Sequence, residues 1–456
     1  MNRQTNPVQK SAMAEKTQGS YFPGSLELVL TAALIGLLTG LSAIALRWLI
    51  VNIRTLSYST PSNFIASIYP FHFILILTIG GLLNGLIIQF ITSEVKGGGI
   101  PEILEAVAID NGHIPPIVSF AKILATGICL GTGGSAGSFG PIAHIGASIG
   151  SSIGQLFKLN TQRIRTLVAC GVAGGIASTM NTPIAGAVFA IEIILDNISS
   201  VNFSAVVITS VIASTISHQF MGNAALIPIP AFSSPAAFEL LFFALLGILA
   251  AVFATGFSRI RYLVDDWFSH THIPQFLVPA IGGVLVGTIG MLTMKLNGFP
   301  RIFGVGYESI VEIFSTGMAF RVSIILLLLK MMTTALTVGT GNSGGVFAPS
   351  LFMGAMLGQC FGILINLTFP ETSSPPGVYA VVGMAAFFSG AVRAPITSIL
   401  IILEITGNYN LILPLMLTTV SSSLISKWIS EDTIYTAKMT RKGIDLKKER
   451  LSAREE

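Results

Sequence analysis

Two stretches of this chain carry the same arrangement, one that can hold an anion without any cationic side chain. Residues 131–150 read GTGGSAGSFGPIAHIGASIG and residues 339–358 read GTGNSGGVFAPSLFMGAMLG. At a constant offset, Gly131, Thr132, Gly133, Ser135, Gly137, Phe139, Pro141, Gly146, Ala147 and Gly150 each meet an identical residue in the second copy. Glycines let a backbone take unusual conformations and approach a ligand closely. A proline in the first turn of a helix sacrifices no hydrogen bond. The residues before it, Ser138-Phe139-Gly140 and Val346-Phe347-Ala348, therefore sit where amide N–H groups have no helical partner. Those amides and the helix dipole together favour a negative charge.

The same loops fit a second chemistry, and it fails on inspection. Gly133–Gly137 and Gly341–Gly345 both match G-x-S-x-G, the setting of serine nucleophiles. A hydrolase also needs a base. The six histidines are His72, His113, His144, His218, His270 and His272; none follows Ser343, and no H-E-x-x-H occurs. A duplicated nucleophile without a duplicated base argues against an enzyme, and no catalytic residue is assigned. His144 alone lies near the first loop, as a packed residue or one lining an outer vestibule. Cys129, Cys170 and Cys360 are odd in number, lie in apolar runs and lack metal spacing. Neither a disulfide nor a metal site is expected, and no cofactor.

The elements that must position these loops belong to a membrane. Of 456 residues, 52% are hydrophobic and 10% charged, against roughly a quarter charged in soluble domains. The net charge of +4 lies largely in the tails and says little for a nucleic-acid partner. Apolar runs at about 26–51 and 71–90 are long enough to span. Beyond them the runs are short, broken by glycine, proline or single charges, first at Lys96–Ile103, KGGGIPEI. Val168–Ile194 has a partner in Val381–Ile405, matching at Gly171/Gly383, Ala173/Ala385, Pro183/Pro395, Ile184/Ile396 and Glu192/Glu404. The chain thus divides into a polar tail (1–24), a first repeat half (25–220), a linker (221–234, including the Pro-rich Ile227–Pro235), a second half (235–427) and a C-terminal segment (428–456). The basic residues Lys438, Arg441, Lys442, Lys447, Lys448, Arg450 and Arg454 place the C-terminus in the cytoplasm. Arg3, Lys10 and Lys16 lean the N-terminus the same way. Both ends inside imply inverted repeats, with a transport site at their interface.

With these residues quoted, the chain resembles the CLC family of chloride channels and chloride/proton exchangers over nearly its whole length. Gly97–Pro101 resembles the family's first anion-binding loop, Gly137–Pro141 the second and Gly345–Pro349 the third. Tyr435 resembles the tyrosine at the start of the final helix. The resemblance implies an all-α integral membrane fold of inverted repeats with tilted, broken and re-entrant helices. It also implies a homodimer in the lipid bilayer, with one anion pathway per subunit and bound chloride. By the same resemblance the anion is held around Gly98, Ile100, Val346, Phe347 and Tyr435, with an outer site at Ser138, Phe139 and Gly140. The short tail after Tyr435 resembles compact prokaryotic members, which implies a bacterial inner membrane.

Three positions depart from the family pattern. The second-loop glutamate, a gate and proton carrier, is Phe139. The inner proton-transfer glutamate is Ile193, one residue after Glu192. The first-loop serine is Gly98. Neither Phe nor Ile titrates, so passive anion conduction without proton coupling is expected, the alternative being exchange through a non-standard relay. Glu192 and Glu404 are expected to be structural carboxylates.

Overall fold

The structure is a computed structural model that describes residues 24–58, 71–195, 200–222, 227, 229–230, 232, 234–297, 301–370 and 373–445. The basic residues expected at Arg3, Lys10, Lys16, Lys447, Lys448, Arg450 and Arg454, and much of the expected linker, lie outside these residues.

Among the described residues the chain forms seventeen α-helices. The first half holds α1 (Gly24–Tyr58), α2 (His72–Phe90), α3 (Ile100–Ala108), α4 (Ile117–Gly131), α5 (Phe139–Leu156), α6 (Thr161–Met180), α7 (Pro183–Phe189) and α8 (Ser200–Met221). The second holds α9 (Leu240–Ser269), α10 (Val278–Asn297), α11 (Tyr307–Ser315), α12 (Phe320–Gly339), α13 (Phe347–Thr368), α14 (Pro376–Val392), α15 (Pro395–Thr406) and α16 (Ile412–Ile429), followed by the short α17 (Ala437–Arg441). Seven helical segments are long and apolar enough to cross a membrane. Several of the others, such as α3, α7, α11 and α15, are too short to span alone, which is tolerated at membrane depth only where protein or a water-lined cavity satisfies the backbone.

The two halves repeat one another in detail. Helices α5 and α6 pack so closely that a Cβ on Gly146 would run into the Gly171 carbonyl, and one on Gly150 into that of Leu167. In the second half, Gly354 meets the Gly383 carbonyl and Gly358 that of Tyr379 in the same way. Backbones packing this tightly need small residues at the crossing.

The break after each of these pairs is also duplicated. Asn181 (φ 58°) and Arg393 (φ 61°) both take the left-handed conformation, and each is followed two residues later by the proline that starts α7 or α15. Asparagine tolerates that region better than arginine. Arg393 is held there by its guanidinium, which donates to the carbonyls of Ser426, Ser430, Glu431 and Asp432.

The halves are inverted and locked by reciprocal contacts. The Glu192 carboxylate, on the π-helical turn that extends α7 (Ala190–Leu195), accepts from the amides of Ile396 and Thr397 at the start of α15. Glu404 on α15 accepts from the amides of Ile184 and Ala185 at the start of α7. Each carboxylate thus caps the broken helix of the other half, as charge at a helix N-terminus should. That is the structural role expected for this pair.

Candidate functional site at the meeting of three helix starts

The duplicated glycine loops meet at the centre. Gly137 and Gly345 exchange two backbone hydrogen bonds, N–H to O at 2.8 and 2.6 Å, as an isolated antiparallel bridge. The first loop joins them, since the Gly344 amide donates to the Gly97 carbonyl at 3.2 Å. Gly140 packs directly on the Gly98 carbonyl and leaves no room for a side chain. The starts of α3, α5 and α13 therefore converge, each entered through a glycine-containing loop.

Each start leaves amides without a helical acceptor. The first helical bonds run from Ile103 to Gly99, Ile142 to Ser138 and Ser350 to Val346, and the N–H groups ahead of them have no carbonyl within their own helix. Gly99 takes φ 89°, a conformation open to glycine and costly for other residues. Among the residues read from sequence as the anion site, Ile100, Phe139, Gly140, Val346, Phe347 and Tyr435 are buried, whereas Gly98 and Ser138 are half-buried.

Tyr435 sits two residues ahead of α17 rather than inside the helix. Its segment is fixed from several sides. The Ile434 amide donates to the Ala391 carbonyl, and the Tyr262 hydroxyl donates to the Ile434 carbonyl. Arg393 holds the turn just before it, and Lys438 pairs with Glu102 of α3 at 2.5 Å. The strained arginine and the buried tyrosine are thus parts of one support for this segment.

Phe139 does not project into an open mouth. Its ring is fully buried and stacks on Phe347, the residue at the same place in the other repeat, with centroids 3.8 Å apart and planes 15° apart. Phe189 abuts Phe139 edge-on at 5.4 Å, and Phe388 abuts Phe347 at 4.5 Å. Where the resemblance places a carboxylate, the structure has an aromatic cluster drawn from both halves. Ile193 is half-buried against the hydrophobic core.

Outside this cluster a cavity of about 290 Å³ reaches Ser138 and includes Arg47, Arg54, Tyr58, Thr179 and Gly306 on its wall. His144 does not line it, which leaves the packed one of its two expected placements. It is fully buried on α5, with Gly99 close against its ring.

The two G-x-S-x-G serines are accounted for by packing. Ser343 shares a 2.9 Å hydroxyl contact with Thr126 of α4, and Ser135 a 3.2 Å contact with Thr334 of α12. Each loop serine is tied to the other half, and both are fully buried.

Two features escaped the sequence reading. Lys122 on α4 is fully buried and donates to the carbonyls of Val95 (2.9 Å) and Gly97 (3.0 Å), at the loop that leads into α3. Lys330 on α12 does the same for Ile302 (3.0 Å) and Gly304 (2.6 Å) ahead of α11. That makes α11, entered through Gly306 at φ 88°, the repeat mate of α3. The signal was present: Gly97-x-Gly99 recurs as Gly304-x-Gly306, and the two lysines share the offset of the glycine loops.

Inverted halves whose broken helices start at a common centre define a membrane transport protein. A family model described as voltage gated chloride channel matches residues 80–427. The chain belongs to that family, and its activity is chloride transport. A relative from Ralstonia nicotianae, named putative chloride channel protein ClcB-like, is 31% identical over 376 residues, covering 82% of this chain and 86% of its own. A relative from Vibrio campbellii, named H(+)/Cl(-) exchange transporter ClcA, is 30% identical over 448 residues, covering 95% and 93%. The solved structure of a slow cyanobacterial Cl-/H+ antiporter superposes with a TM-score of 0.82 at 26% identity, covering 93% of this chain and 99% of that one.

Proposed function

We propose that this chain exchanges chloride for protons through a relay other than the usual pair of glutamates. The observation behind the chloride site is the convergence of the starts of α3, α5 and α13 through loops hydrogen-bonded to one another. The case for exchange comes from the likenesses, in which relatives spanning most of the chain carry exchanger names. They favour exchange over the uncoupled flux expected from Phe139 and Ile193. In this reading Arg47 and Arg54 draw anions to Ser138 and Gly140. The inner site is formed by Gly98, Ile100, Val346, Phe347 and Tyr435. All three helix starts belong to one chain, so each subunit of a homodimer has its own pathway. We place the protein in a bacterial inner membrane with both ends in the cytoplasm.

Passive conduction is the second reading, and one observation favours it: neither Phe139 nor Ile193 carries a proton. Vesicles reconstituted with the protein separate the two. Under exchange, a chloride gradient alone drives protons uphill. Under conduction, the reversal potential follows chloride and ignores a pH gradient.

The first loop makes a further prediction. A Cβ on Gly98 would lie 3.7 Å from the Gly344 carbonyl and 3.8 Å from the Gly345 Cα, ordinary contact distances. Gly98→Ser therefore fits, and it adds one hydroxyl donor to a site built of amides. Donor number and shape set anion preference, and one hydrogen bond to a charge is worth about 1.5–3 kcal/mol. The chloride-to-nitrate flux ratio is expected to rise roughly tenfold. An unchanged ratio in the variant would count against Gly98 lying at the anion.

A further inference from the structure

Directly behind the meeting of the helix starts lies a polar cluster that the site above does not use. His144 is fully buried on α5, and neither ring nitrogen has a hydrogen-bond partner among the described residues. Gly99 lies against it: a Cβ there would stand 2.7 Å from the His144 Cβ and 3.1 Å from Nδ1. One turn along α3 from Gly99, Glu102 gives one carboxylate oxygen to Lys438. Its other oxygen is buried and has no partner among the described residues. Three unpartnered polar atoms in one small region of a tightly packed core are unusual, because each buried orphan costs about 1–3 kcal/mol.

Imidazole nitrogens and a carboxylate oxygen share one ligand chemistry, a proton with the water that carries it. We propose that His144 and Glu102 form a proton-binding site whose occupancy is linked to the anion at the neighbouring helix starts. The inference rests on the reading of those starts as the chloride site. It supplies the titratable group that exchange requires and that Phe139 and Ile193 cannot provide. The site lies toward α17, the element that carries Lys438 and ends at Arg441.

The sign of the linkage follows from the charges present. Lys122 from α4 and Lys438 from the C-terminal segment each bring a positive charge to the imidazole, and Glu102 from α3 brings one negative charge. Glu94 adds a further carboxylate near Lys122 and Glu102. Protonating His144 puts a charge on a fully buried ring, at high cost when no anion is bound: burial opposes it first, and the Lys122 charge adds to that. An anion on the adjacent amides offsets that cost, so proton and chloride each strengthen the binding of the other. Chloride affinity conferred this way is present at acid pH and is lost as the pH rises through the titration of the imidazole. This reciprocity concerns binding, and it is compatible with either direction of coupled transport.

The experiment uses full-length purified protein, with chloride affinity measured by calorimetry at about pH 4 and about pH 7.5, a window that reaches well below the ordinary imidazole range because burial, and then the Lys122 charge, oppose protonation of His144. Proton uptake on adding chloride to weakly buffered protein is measured alongside. Wild type is expected to bind chloride about tenfold more tightly at the lower pH and to take up protons as chloride binds. His144→Asn is expected to bind with the same affinity at both pH values and to take up few protons. Glu102→Gln, which retains the side chain's shape, is expected to reduce the uptake and guards against a folding defect in the first variant. Chloride binding without pH dependence in wild type overturns the proton site and leaves the chloride site standing, as does full proton uptake in both variants. No chloride binding at either pH overturns the reading of the helix starts and this inference with it.

Discussion

Replacing Phe139 with alanine is expected to raise chloride flux through reconstituted vesicles by about ten- to a hundredfold. Phe139 stacks on Phe347 at 3.8 Å and meets Phe189 edge-on at 5.4 Å, so opening this region for an ion must part both ring pairs. Such pairs are worth about 0.5–1.5 kcal/mol each beyond their buried area, or about 1–3 kcal/mol together. Each 1.4 kcal/mol removed from the closed state is about tenfold in the open fraction. Phe139→Trp keeps an aromatic face for Phe347 and should leave flux low. Phe139→Glu places a carboxylate on the amides that begin α5. There it competes with chloride when charged and yields when protonated, so flux should increase as the pH falls. An alanine variant whose flux stays within about twofold of wild type would show that the aromatic cluster is not the barrier.

The second large effect is expected at the buried lysines. Lys122→Met leaves the Val95 and Gly97 carbonyls without their shared donor and removes the positive charge beside Glu102. Breaking a buried charged cluster from one side costs about 3–5 kcal/mol. Lys330→Met orphans the Ile302 and Gly304 carbonyls in the same manner. Both variants should therefore show a clear fall in thermal midpoint. Their function should differ. The loop held by Lys122 is bonded to Gly344 and packed against Gly140, so Lys122→Met should also alter the chloride-to-nitrate ratio. Lys330 serves the mate of that loop, and its loss should leave the ratio unchanged. Equal shifts in selectivity from the two variants would mean that the ratio reports general loosening rather than the geometry of Gly98.

Much of the architecture was legible because the repeat is written in residues that only geometry explains. Gly146, Gly171, Gly354 and Gly383 recur at matching places because two pairs of helices approach too closely for a Cβ. Pro183 and Pro395 recur because both helices restart after a left-handed residue. The glycine–proline loops pointed to helix starts for the same reason, and three of them meet. Other features needed the fold. Lys122 and Lys330 interrupt apolar runs, and nothing local reveals that each reaches back to two carbonyls of a preceding loop. The stack of Phe139 on Phe347 joins residues far apart in sequence, and such contacts leave no periodicity. Sequence left His144 open between a packed residue and a vestibule one, because its neighbours in sequence are loop residues. Its burial is decided by α3, which packs over it.

The bridge between Gly137 and Gly345 also constrains how the protein is made. As a ribosome delivers the chain into the membrane, the first half arrives with the Gly137 amide and carbonyl unpartnered, because Gly345 has not yet been synthesised. The Gly344 amide, when it arrives, finds the Gly97 carbonyl already held by Lys122, whereas the Glu192 carboxylate must wait for the α15 amides that it caps. Unpaired backbone at membrane depth is costly, so these loops must remain wetted or shielded until the second half inserts. The meeting of the three helix starts is then completed only after the second half has inserted. A chain truncated before α13 would leave the membrane with a set of anchored helices and no closed pathway.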